Sequence, residues 1–503
     1  MNFSRGIYFI LFFLSLWAVA QTTELSGNFA PKTEKPFAYR PTDPLFWGKI
    51  ETLLAAADFS SVVIEGANQT KRSNESSADG AEGRLATAMG LSRKGLTFGA
   101  TLLLIDLAKS RSGTSVGEAA LYELQQLTLA HNYDRDNVDA LMNSNEFGPL
   151  HPDIQSFVSF YRYLYNLRYG FNRWAETQKV LIKKDSPSDF ELRYWTAIGD
   201  VARNKTDKAQ AILKEIYASP LAPTRVKQRT QVQLARLAFE RGQFNEAHEL
   251  YHSLPEFGVR EKGRMLLETA WTKYYLKSYD KALGLLNALR APYFAQSLTP
   301  ERYVLEILIY RDLCQYDAVE SAVKKFKAAF RNSFRAIRQR AQLRQDTALV
   351  NLALMDLDLQ DKANLIDQLR REREELLRSG WKGLAFYKAM NDEYLRRDRT
   401  LRRELDLQLE PRTREIAESF LDTEEQIQFL DYTSKLDALR IVRDGEDRDY
   451  QSAPISYLTF ESIYWPVEDE FWWDEFKFYK VLISSQCKQS KSRKEEKMER
   501  EFE

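Results

Sequence analysis

Five short segments recur along the middle of the chain at nearly constant spacing, and nothing else in the sequence restricts its fold as strongly. Arg-Gly-Gln-Phe-Asn-Glu-Ala (241–247), Lys-Ser-Tyr-Asp-Lys-Ala (277–282) and Cys-Gln-Tyr-Asp-Ala-Val (314–319) each set an aromatic residue three positions before a small or β-branched one. Weaker copies are Asn-Lys-Thr-Asp-Lys-Ala (204–209) and Phe-Asn-Arg-Trp-Ala (171–175). The anchors Ala175, Ala209, Ala247, Ala282 and Val319 are separated by 34, 38, 35 and 37 residues. A unit of this size cannot bury its apolar face alone and must stack on its neighbours.

That spacing is the period of the tetratricopeptide repeat (TPR), a helix–turn–helix unit, with small insertions. Ala235, Ala247, Ala270 and Ala282 would let paired helices approach, and Phe239, Phe244, Tyr251, Tyr275 and Tyr279 would fill the space between repeats. Pro220, Pro255 and Pro292 fall just past the second helices, where a missing N–H stops them. With only 21 glycines and 15 prolines in 503 residues, and few alternating β-branched runs, the expected fold is all-α. It comprises a TPR-type α-solenoid over 151–334, a long helical hairpin arm and an aromatic C-terminal cap.

Residues 1–20 read as a signal peptide: Arg5, an apolar stretch from Ile7 to Trp17, then Ala18-Val19-Ala20. An uncleaved anchor is the alternative. Residues 21–44 hold four prolines and no apolar period, which suits a linker. A helical N-terminal region follows over 45–150, opening at Pro44 behind the cap Asp43 and interrupted by a mobile Ser/Asn/Gly/Ala-rich loop over 65–84 that carries sequons at Asn68 and Asn74. Residues 335–450 read as long charged helices, folded at Ser379-Gly380 and broken at Pro411; 451–487 is the aromatic cap and 488–503 a disordered tail. No segment after the signal is long and apolar enough to span a membrane. The 72 Lys and Arg balance 72 Asp and Glu, against the basic excess that nucleic-acid binding needs.

Three constellations bear on chemistry. His248-Glu249-Leu250-Tyr251-His252 is a literal H-E-x-x-H, with Glu268 as a conceivable third zinc ligand. The same residues fit the second helix of a repeat, with Tyr251 at a packing position, so the motif is expected to be a decoy, with no catalytic residue, metal or cofactor implied. Residues 323–345 carry eight basic residues and no acidic one, among them Lys324, Lys325, Lys327, Arg331, Arg335 and Arg338. Phe326, Phe330, Phe334 and Ile337 form a stripe beside this basic face, which is either solvated or meets an acidic partner or membrane surface. The carboxylates of 468–475 offer an internal partner, and Cys314 and Cys487 bracket the two segments. The C-terminal segment is thus expected to fold back on the end of the solenoid, pairing these charges and joining the cysteines; two free thiols are the alternative. Arg236, Arg264, Glu268 and Lys273 are candidate partner-groove residues, or plain solvated positions.

The chain also resembles a family. Leu-Arg-Ala-Pro-Tyr-Phe (289–294), Pro300-Glu301, Tyr-Arg-Asp-Leu-Cys-Gln-Tyr (310–316) and the late motif Trp465, Pro466, Glu470, Trp472, Asp474, Glu475 and Tyr479 look like exported TPR proteins of deltaproteobacteria. That group includes periplasmic TPR components of the myxobacterial adventurous gliding-motility machinery; its pattern has Gly where this chain has Asp469. The resemblance implies a non-enzymatic scaffold in the periplasm, near the outer membrane, binding envelope proteins as part of a gliding-motility-type or related complex. An adaptor for outer-membrane protein assembly or for peptidoglycan and division is the alternative, and a zinc peptidase a remote one.

Overall fold

The computed structural model describes residues 39–255, 259–297, 299–443, 471–472 and 475–487, and every regular element among them is helical. The N-terminal helices are α1 (Pro44–Ala55), α2 (Phe59–Ser73), α3 (Ala78–Arg93), α4 (Thr97–Ser110), α5 (Ser115–Ala130) and α6 (Arg135–Ser144). Then come α7 (Pro152–Arg168), α8 (Asn172–Val180), α9 (Pro187–Ala202), α10 (Thr206–Ala218), α11 (Thr224–Glu240), α12 (Phe244–His252), α13 (Val259–Tyr275) and α14 (Tyr279–Ala288). The last are α15 (Glu301–Asp312), α16 (Tyr316–Ala329), α17 (Arg331–Arg338), α18 (Thr347–Ala353), α19 (Leu357–Arg378) and α20 (Phe386–Arg443). The signal peptide, most of the linker, Trp465, Pro466, Glu470 and Asp474 of the late motif, and the tail lie outside the described residues. No described helix is long and apolar enough to cross a membrane.

One turn recurs through the chain. Ala57, Gly95, Gly170, Asn204, Gly242, Lys277 and Cys314 all have φ between 55° and 88°, and each stands two residues before a helix. In every case the next N–H reaches the carbonyl five residues back, as from Gln243 to Ala238 (2.9 Å) and from Gln315 to Tyr310 (2.8 Å). This left-handed C-cap satisfies the end of one helix and sends the chain straight into its partner. The fourth residue of each following helix, Val62, Ala100, Ala175, Ala209, Ala247, Ala282 or Val319, is buried, because the helices cross there. The repeat anchors therefore mark helix crossings, and two further copies precede them, at Val62 and Ala100.

The described residues divide into two compact units: 39–234 with 360–406, and 235–359 with those from 407 onwards. These units do not coincide with the serial segments 45–150, 151–334 and 335–450. In the first unit the expected loop over 65–84 is mostly helix, in α2 and α3. Its glycines and alanines are a packing device. A Cβ on Gly66 would stand 2.6 Å from the Gly83 carbonyl oxygen, and one on Gly83 2.6 Å from that of Gly66. Only hydrogen side chains permit so close a crossing. The end of the linker is also anchored: Tyr39 donates to the Glu82 carboxylate (2.7 Å), as do the N–H groups of Thr42 and Asp43.

Residues 360–406 form no free arm. Leu365, Ile366, Leu369, Leu376, Met390 and Tyr394 share one core with Ile50, Leu85, Phe98 and Leu121. Buried Glu372 caps α4, accepting from Thr97 Oγ1 (2.8 Å) and the Phe98 N–H (3.0 Å), while the Tyr394 hydroxyl donates to it (2.6 Å). Arg397 forks onto buried Asp134 at 2.6 and 2.7 Å.

Pro411 was expected to break a helix, yet it lies inside α20, which runs unbroken for 58 residues. Leu409, Thr413, Ala417 and Phe420 are buried around it, so tertiary packing outweighs the roughly 3 kcal/mol interior cost of proline. The basic stretch 323–345 is not one helix either. It turns at Phe330 and again at Arg340 (φ 50°), because Phe326, Phe330 and Phe334 must all converge on Phe420, at centroid distances of 6.4, 4.8 and 5.0 Å.

Candidate functional site

In the second unit the C-terminal residues form an extended strap across α13 to α15. Phe476 is fully buried among Leu266, Leu267, Leu283 and Phe294. The Val481 N–H donates to the Asp280 carbonyl (3.0 Å), the Gln486 N–H to that of Leu313 (2.9 Å), and Gln315 Nε2 to that of Ser484 (2.8 Å). Cys314 and Cys487 are joined, with Cα atoms 5.4 Å apart. Cys314 occupies the left-handed turn between α15 and α16 (φ 56°), flanked by Leu313 and Gln315, which both bond to the strap.

Of the five carboxylates expected to pair with the basic stretch, only Glu475 lies among the described residues. Lys324 binds Glu320 on its own helix (2.7 Å), Arg338 binds Glu424 of α20 (2.7 Å), and Lys325, Lys327, Arg331 and Arg335 make no contact with Glu475, which is exposed. The described part of the strap is held by aromatic burial, hydrogen bonds to its backbone and the Cys314–Cys487 bond. Of the late motif, Tyr479 lies over Gly284, and Trp472, whose N–H donates to the Tyr479 hydroxyl (3.1 Å), is exposed.

The proposed groove residues are consumed by packing. Arg236 forks onto Glu268 at 3.1 and 2.7 Å, and Tyr251 donates to the same carboxylate at 2.8 Å. Burial alone would raise the Glu268 carboxyl; the Arg236 guanidinium and these hydrogen bonds more than offset it and hold it below its ordinary value. Arg264 Nη2 donates to the Met355 carbonyl (2.7 Å). Lys273 Nζ stands 2.7 Å from His248 Nε2, and burial, Lys273 and His252 push His248 down to about 4. With Glu268 committed to Arg236 and an ammonium beside His248, these side chains do not converge on a zinc position; no group of three ligating side chains that could hold a metal occurs among the described residues.

A cleft of about 60 Å³ opens in the first unit, between α5, α7, α9 and α11. Sequence reasoning missed it. Phe157, Phe160, Tyr161, Tyr133 and Trp195 line it, with the α9 N-terminus at Pro187–Ser188 and the cations Arg135, Arg225 and Arg229. The hydroxyls of Tyr133 and Tyr161 are 2.5 Å apart, and burial raises both phenols above their ordinary value. Arg229 pairs with Glu191 and lies 4.8 Å from the Tyr194 ring centre. Arg135 pairs with Asp139 (3.7 Å). Arg225, four residues before Arg229 and so on the same face of α11, makes neither hydrogen bond nor ion pair with the described residues, and its Nε is sealed from solvent. Burial and the neighbouring Arg229 push Arg225 below its ordinary value. The spacing Arg225-x-x-x-Arg229 was visible in the sequence, but the absence of a partner was not.

Comparison with protein-family models, curated proteins and solved structures finds no match.

Proposed function

We propose that the chain is a non-enzymatic, TPR-type scaffold that holds partner proteins in a bacterial cell envelope. The observation that carries this reading is an uncovered apolar face. On α10 the repeat buries Ala209, Leu213 and Ile216, whereas on α8 only Ala175 is buried. Trp174 on this helix and Phe171 and Leu181, which cap its two ends, are 66%, 52% and 48% exposed. Tyr165, Leu167, Tyr169 and Val180, close to them in sequence, are exposed as well, and no acidic residue falls between Asp153 and Glu176. Exposed aromatics interleaved with arginine form the composition of a protein-binding surface.

The seven repeated turns support the TPR reading, since each closes a helix pair at the same crossing position. The joined Cys314 and Cys487 support an oxidising compartment, as does the apolar N-terminal sequence. Membership of a gliding-motility-type complex is proposed from the late aromatic motif and the Cys-x-Tyr element. Crosslinking in the native envelope fraction followed by pull-down tests the proposal: envelope proteins are expected with the chain, and recovery of none would sink the scaffold reading.

A further inference from the structure

We infer that the cleft around Arg225 binds a monocarboxylate carried on an apolar or aromatic body. The inference does not depend on where in the cell the chain resides.

Charge bookkeeping in the cleft specifies the anion. Of the three guanidiniums, Arg229 is matched by Glu191 and Arg135 by Asp139. Arg225 is left over. Glu191 and Asp361 lie within electrostatic reach of it, but neither forms an ion pair with it. Both Arg225 Nε and Arg229 Nε are shut off from solvent without an acceptor. Arg225 is half-buried with its Nε sealed, and a cation so enclosed with no ion-pair partner among the described residues gains from a ligand that supplies the charge. One uncompensated charge suits a monoanion. The planar fork of a guanidinium fits a carboxylate through two parallel hydrogen bonds, whereas a dianion such as phosphate would leave charge unmatched in an aromatic wall.

The remaining lining agrees. When two hydroxyls share one hydrogen bond, one O–H proton is left to donate, and raised phenols keep Tyr133 and Tyr161 protonated. The positive end of α9 at Ser188 faces the same space. Phe157, Phe160 and Trp195 offer rings to the body that carries the carboxylate, and the volume suits a carboxylate with the first part of that body. Such a group occurs on a free organic acid and at the end of a peptide chain.

Calorimetric titration of the full chain distinguishes these sources and tests the site, with four probes: phenylacetate, acetyl-trialanine with a free carboxylate, its C-terminal amide, and inorganic phosphate. Saturable one-to-one binding is expected for at least one of the two carboxylates, with phenylacetate the tighter if the ligand is a free acid and the peptide the tighter if it is a chain end. The amide and phosphate should bind at least about tenfold more weakly, and Arg225→Met should weaken carboxylate binding by at least about tenfold while leaving the thermal midpoint unchanged or higher. The inference is overturned if neither carboxylate saturates, if amide or phosphate binds as tightly, or if Arg225→Met binds like the parent. An Arg225→Met chain that loses its fold would also overturn it, because Arg225 would then be a structural residue.

Discussion

Gly284 sits midway along α14, where replacing glycine by alanine ordinarily stabilises a helix by about 0.5–1 kcal/mol. Here the added methyl would overlap the Tyr479 carbonyl oxygen and carbon and meet the Lys480 nitrogen at 2.7 Å. None of these atoms can yield without moving the strap. Lifting it withdraws Phe476 from the core it shares with Leu266 and Phe294 and breaks the bonds from Val481 to Asp280 and from Gln315 to Ser484. Loss of a buried phenylalanine costs about 3–5 kcal/mol. After subtraction of the helix gain, Gly284→Ala should destabilise the oxidised chain by about 2–4 kcal/mol. Gly48, interior to α1 with nothing within 4 Å of a built Cβ, is the control; Gly48→Ala should stabilise by about 0.5–1 kcal/mol. Urea unfolding followed by far-ultraviolet circular dichroism reads both. If Gly284→Ala stabilises as Gly48→Ala does, the strap does not lie on α14 and the packing described for it is wrong.

Further outcomes follow from the same contacts. Gly66→Ala should cost about 1–3 kcal/mol, because its methyl meets the Gly83 backbone; a neutral result in the same unfolding assay would mean that α2 and α3 do not cross there. Exchanging both Cys314 and Cys487 for serine should lower stability by at most about 5 kcal/mol, the loop-entropy ceiling for a separation of 173 residues, whereas no change under oxidising conditions would show that the bond is not formed. Burial lifts Glu301 to about 7, the Trp271 hydrogen bond (2.7 Å) only partly opposing it. A carboxyl raised in the folded state binds its proton more tightly there, so stability is highest below the ordinary value of 4.5 and declines as pH rises towards 7. Glu301→Gln removes that decline: its advantage should be absent near pH 4, grow through that window and approach about 3 kcal/mol above it. A pH-independent difference would contradict the assignment.

The helical class and the repeat register were legible because both rest on local spacing. Ala175, Ala209, Ala247, Ala282 and Val319 each fall at the fourth position of a helix, where only a small or β-branched residue lets the partner helix close in. The two N-terminal turns escaped notice because Ala57-Asp58-Phe59 and Gly95-Leu96-Thr97 share no side-chain signature with the others; backbone conformation alone unites them. Residues 65–84 were misread since glycine and alanine serve a loop and a tight helix crossing equally well. Pro411 and the charged run after 335 misled for a related reason. Leu365, Ile366, Leu369 and Leu376 find their partners more than 200 residues away, on the first helices, and a local window sees only the arginines and glutamates around them. The groove candidates failed because Arg236 and Glu268, 32 residues apart, satisfy one another, while Arg225 emerged only once its neighbours could be counted.

The central claim, that the uncovered α8 face holds partner proteins, is tested most directly by placing a photoreactive amino acid at position 174 in the native host, with position 324 on the exposed basic face of α16 as comparison. Adducts with envelope proteins at 174, abolished by Tyr169→Glu and weak or absent at 324, are the result this account requires. Equal adduct patterns at both positions, or none at 174, would contradict it.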